Sequence, residues 1–160
     1  MTSKADFSEE EWTRIKRAPF VAGMAISLAD PGGPIEIVKE TSATLKTAQD
    51  AGGRGALVEA VAQDVSADAR ERKNPLKDFK PKGALAGQEI LEELTEVNRI
   101  VSAKATQEEA DAFRDWLRAA AQEAANAAKE GGFMGFHAVR VSEGEQRMLD
   151  KLGGVLSPPA

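Results

Sequence analysis

Apolar residues recur every three or four positions along most of this chain, the spacing that lays a stripe down one side of a helix. Ala110, Phe113, Leu117, Ala120, Ala124 and Ala127 form the longest such stripe. It is narrow and built of small side chains, which let a second helix approach closely, so this segment is predicted to lie inside a bundle. Ile90, Leu94, Val97 and Val101, broadened by Leu91 and Ile100, predict another helix within 84–104, with Glu89, Glu92, Glu93 and Glu96 on its other side. Leu57, Val58, Val61, Val65 and Ala69 mark a third face. Ile35, Val38, Leu45 and Ala48 mark a moderate fourth, interrupted by Thr41 and Ser42. Over 20–29 apolar residues cover every side, which predicts the most enclosed segment of the bundle.

The polar positions supply the boundaries. Ser8 with Glu11, Thr106 with Glu109 and Ser142 with Glu145 each have the Ser/Thr-x-x-Glu spacing of a capping box, in which the hydroxyl accepts from one exposed amide and the carboxylate from another. Pro19 lacks an amide donor and collides with the preceding turn, so the first helix is expected to kink there or give way to a second one starting at Pro19. Asp30-Pro31-Gly32-Gly33-Pro34 and the glycines at 52, 53 and 55 predict tight connections. Pro75 and Pro81 forbid a continuous helix through 70–83, which is expected to cross the bundle as a long loop. Residues 133–141 are the one place where a short extended piece is expected. The last helix is expected to pass through Met148, Leu149 and Leu152 and end at Gly153-Gly154, followed by a tail at 157–160 whose Pro158-Pro159-Ala160 is expected to be loose. The resulting expectation is an all-α fold: one domain over 1–156, an irregular bundle of five to seven helices around 20–29, 90–101 and 110–128.

Composition narrows the chemistry. With 160 residues, 42% of them hydrophobic, the chain has the content of one core. The longest uncharged run, 18–29, is too short for the roughly 20 residues of a membrane span. It follows an acidic stretch where a secretory signal carries positive charge, so a cytoplasmic location is expected. The chain has no cysteine, which excludes disulfides, thiolate metal sites and cysteine nucleophiles; its single histidine, His137, excludes sites that need two or three imidazoles. Net charge is −5, yet 70–83 holds six basic and two acidic residues, a local +4 that leaves −9 elsewhere. This strap is expected to lie on the acidic body. The lesser alternative for the strap is an anionic partner such as a phosphorylated ligand or nucleic acid; nucleic acid is not the expected partner, because the chain is acidic and only Phe79 interleaves the strap's charges.

Three candidate sites remain. Glu36 and Glu40 stand one helical turn apart just after Asp30, and three carboxylates there would suit a divalent cation such as Ca²⁺, Mg²⁺ or Mn²⁺. The competing reading is a solvated acidic helix start. His137 is the candidate acid or base, with Ser142 and Glu143 near it in sequence. Gly131, Gly132 and Gly135 are read as letting Phe133, Met134 and Phe136 turn inward, since no Lys-Ser or Lys-Thr follows to make a phosphate loop.

The segment 29–36, Ala-Asp-Pro-Gly-Gly-Pro-Ile-Glu, and the pair Lys129-Glu-Gly-Gly with Val141-Ser-Glu-Gly-Glu145 resemble the turn-and-cap units of the tellurite-resistance B family. That resemblance implies a small, cytoplasmic, all-helical protein linked to stress or metal-ion response, with acidic residues near the turns holding a metal. The segment 131–136 also resembles a bacterial family without an assigned function. The expected role is therefore a non-catalytic, cytoplasmic interaction or stress-associated module of bacterial type, binding an unknown protein partner or a second copy of itself. Alternatives are a protein binding a divalent metal or a small ligand through Asp30, Glu36 and Glu40, and an enzyme centred on His137.

Overall fold

The computed structural model describes residues 1–29, 34–129 and 141–160; for 34–40, 128 and 129 the description covers the backbone alone. The order is α1 (Glu9–Ala29), α2 (Pro34–Gln49), α3 (Ala56–Arg70), α4 (Ala86–Lys104), α5 (Gln107–Lys129) and α6 (Glu143–Val155), with short 3-10 turns at Lys4–Asp6 and Gly83–Leu85. The fold is all-α, and no strand occurs among the described residues. The expected extended piece at 133–141 falls almost entirely outside them.

Helices α1 and α5 form the axis of the bundle, each packing against all five others. The long stripe on α5 accounts for this position only in part. Trp116, Ala121 and Ala125 are buried beside it, so the enclosed face is much broader than the stripe, while Ala127 at its end is half-exposed. Trp116 is fully buried and its indole N–H donates to the Thr47 carbonyl of α2 at 2.9 Å. Close packing of α2 on α1 depends on Gly23, where a Cβ would sit 2.4 Å from Thr44 Oγ1.

All three capping boxes form. Ser8 N donates to Glu11 Oε2 at 2.7 Å and Glu11 N to Ser8 Oγ at 3.2 Å; Thr106 with Glu109 and Ser142 with Glu145 repeat the exchange. Pro19 neither ends α1 nor starts a new helix. It is buried within one unbroken 21-residue helix, where packing on both sides of it outweighs the roughly 3 kcal/mol that proline costs in a helix interior. Segment 20–29 is largely enclosed, with Met24 half-buried and Leu28 near its end 43% exposed.

Two boundaries differ from expectation. Gly153 and Gly154 lie inside α6, which runs to Val155, and Leu156 beyond it is fully buried. The reason is tertiary: Asn98 Nδ2 of α4 donates to the carbonyls of Val155 (3.0 Å) and Ser157 (2.8 Å), and Arg118 Nη2 of α5 to that of Leu156 (2.7 Å). These donors satisfy carbonyls that the helix end leaves unpaired. Ser157, the first residue of the expected tail, is held through its carbonyl.

Candidate functional site

The N-terminal part of α1 lines a cavity with Thr13, Lys16, Arg17 and Phe20, and α3 with the turn that follows it adds Val65, Asp68, Ala69 and Arg72. Both sets follow the i, i+3, i+4, i+7 spacing that aligns side chains along a helix. Thr41 and Leu45 of α2 close one side, and residues 73–78 of the strap close the other, leaving a pocket of about 610 Å³. That volume lies within the ~300–1,000 Å³ range of small-molecule sites.

The strap is fastened chiefly by apolar contacts. Leu76 and Phe79, half-buried and three residues apart, pack against the core, and the Arg17 guanidinium stands 5.1 Å from the Phe79 ring centroid. Of the strap's six cations, Lys73 alone makes an ion pair among the described residues, to Glu71 and Asp68. Two apolar residues thus anchor the strap, and Lys80 shares a cleft with Glu89, Glu92 and Glu93 of α4, while Arg70, Arg72, Lys77, Lys80 and Lys82 make no ion pair among the described residues.

The pocket is two-layered. Phe20, Leu45, Val65 and Leu76 give an apolar floor belonging to the core or packed against it. Around it stand five cations (Lys16, Arg17, Arg72, Lys73, Lys77) and two carboxylates (Asp68, Asp78). Lys16 Nζ lies 2.5 Å from Asp68 Oδ2. Burial pushes the Asp68 carboxyl up, but the hydrogen bonds and charges of Lys16 and Lys73 outweigh it and hold the pKa below the ordinary aspartate value. Asp68 therefore remains an ion-paired anion, poorly suited to donate a proton near neutrality. The Thr13 hydroxyl donates to the Glu9 carbonyl of its own helix at 2.8 Å.

Arg17 is held from behind by Glu93, which is only 7% exposed. Arg17 Nη2 lies 2.6 Å and Arg17 Nε 2.8 Å from Glu93 Oε1, and Arg14 Nη1 lies 2.9 Å from Oε2. The sequence grouped Glu93 with the acids on the outer side of α4; two guanidinium groups from α1 draw it inward. A second, more open cleft of about 360 Å³ is lined by Arg14 and Glu93 together with Phe79, Lys80, Glu89 and Glu92.

Asp30 and His137 lie outside the described residues, as do Gly131, Gly132 and Gly135. Glu36 and Glu40 fall on α2 one turn apart, but their side chains are outside the description. Among the described residues no group of three or more His, Asp or Glu converges as a metal site, and no helix is long and apolar enough to cross a membrane. The pocket residues went unread in the sequence as a site, although the basic-over-apolar face at 13, 16, 17 and 20 is visible once a helix is assumed. No family model, no curated protein and no solved structure matches the chain.

Proposed function

We propose that this protein is a non-catalytic binding module, and that its ligand is a small molecule held between α1, α2, α3 and the strap. The observation that supports this reading is the union of an apolar floor with a charged rim in one pocket of about 610 Å³. Pockets of that size with an apolar lining and a few convergent polar groups are the usual form of ligand sites. Catalysis finds less support there. Asp68 is committed to Lys16 and Lys73, and Thr13 to a backbone carbonyl, so neither is an activated base or nucleophile. A protein partner docking on an apolar surface also finds less support, since Met1, Leu28 and Leu85 are the exposed large apolar residues described and come from separate elements.

The test is ligand-observed NMR with a small library of neutral and charged amphiphiles, on the wild type and on Ala69→Trp, which places an indole in the pocket from a half-exposed position of α3. Saturable binding at one site, abolished by Ala69→Trp, is expected. A library without a saturable binder, or one bound equally by the variant, overturns the reading.

A further inference from the structure

Arg72 occupies a backbone position where glycine is the usual residue. Helix α3 ends in a Schellman turn: the amide of Lys73 donates to the Asp68 carbonyl at 2.9 Å and that of Arg72 to the Ala69 carbonyl at 3.1 Å. The pattern requires a left-handed residue at its centre, and Arg72 supplies it with φ of 55°, the one non-glycine residue with positive φ among those described. The helix dipole favours a cation near this end, but any position in the last turn serves that purpose without the strain. A side chain kept at such a place points to a use for that side chain.

Its place in the pocket is where that use is sought. Arg72 and Lys77 both line the pocket without an ion pair among the described residues, whereas Lys16, Arg17 and Lys73 already have carboxylate partners. The rim thus carries more positive than negative charge on a chain whose net charge is −5. Unpaired cations beside an apolar floor complement a molecule with an anionic head and an apolar body. Resting on the pocket reading above, we infer that the ligand is an amphiphilic monoanion or dianion, a carboxylate or a phosphate monoester on a medium-length hydrocarbon body, and that Arg72 binds its head, with Lys77 reinforcing the field. Arg72 offers a planar fork matched to either head; the apolar body lies over Phe20, Leu45 and Leu76.

The inference is tested by isothermal titration calorimetry with decanoate, decyl phosphate and decanol below their aggregation concentrations, on wild type, Arg72→Gly, Arg72→Lys and Ala69→Trp. Arg72→Gly suits the native backbone, so it is expected to fold at least as stably as the wild type. At least one anion is expected to bind more tightly than decanol, and Arg72→Gly to weaken it tenfold or more while leaving decanol unchanged. Arg72→Lys is expected to restore part of the loss, and added salt to weaken the anion alone. Whichever anion binds more tightly identifies the head group. Equal binding of decanol and both anions overturns the anionic head while the pocket reading stands, provided Ala69→Trp abolishes it. Unchanged anion affinity in Arg72→Gly overturns the role of Arg72. Failure of all three probes to bind overturns the ligand class, and the library experiment above then decides the pocket reading separately.

Discussion

Arg72 illustrates how a single backbone angle separates stability from use. A left-handed conformation costs an L-residue roughly 1–2 kcal/mol, part of which glycine returns through its freer unfolded chain. Arg72→Gly is therefore expected to raise stability by about 0.5–1 kcal/mol, measured as a higher urea midpoint at unchanged slope. Gly144 is the opposite case. Its φ is ordinary, but a Cβ there would lie 2.6 Å from the Ala29 carbonyl oxygen, a backbone atom that cannot swing aside. Gly144→Ala is expected to lower stability by about 1–3 kcal/mol through forced separation of α6 from the end of α1. A lower thermal midpoint with native far-ultraviolet dichroism will check it. Glu109 carries a different constraint. The hydroxyl and amide of Thr2 donate to its carboxylate at 2.5 and 2.9 Å, and Thr106 adds two more hydrogen bonds. With the Thr2 hydroxyl first among these causes, its pKa falls from 4.5 to about 2 against the opposing effect of burial. A folded pKa below the unfolded one means the stabilisation is present above pH 4.5 and lost as pH falls toward about 2. Glu109→Gln is expected to flatten the pH dependence of the denaturation midpoint across that window.

At the scale of elements, the capping boxes and the periodic stripes were legible because they depend on neighbours within one or two turns. The continuity of α1 and the end of α6 were not. Proline at position 19 allows locally either a kink or the start of a new helix, and α1 continues as one helix because Ala18, Phe20, Val21 and Ala22 are all buried around it. Glycine at 153 and 154 reads locally as a stop, yet α6 continues until Asn98 and Arg118, from two other helices, receive its last carbonyls. Asn98 also accepts from Arg114 Nε at 2.8 Å, a guanidinium only 2% exposed that also bonds Ser102 and Asp111. Asn98→Ala leaves a buried charged donor and two carbonyls without this partner. It is expected to cost about 2–4 kcal/mol and to loosen α6 first. Hydrogen exchange should show lost protection in Glu143–Val155 before α1 or α5 is affected.

For the whole molecule, the amino-acid sequence determined the all-helical class, the start of three helices and the enclosed position of α5. Those properties follow from periodicity and from hydrogen bonds between residues three apart, which a linear order contains. It also excluded thiol and multi-histidine chemistry through composition alone. Tertiary structure decided where charge resides. Glu93 turned inward because Arg14 and Arg17 meet it from another helix, and the strap keeps most of its cations without an ion pair among the described residues because Leu76 and Phe79, more than its lysines, fasten it down. The pocket itself came from juxtaposing faces of α1 and α3 some fifty residues apart in the chain. A stripe reveals which side of a helix is buried; only packing reveals what that side is buried against, and a binding site is made of that second relation.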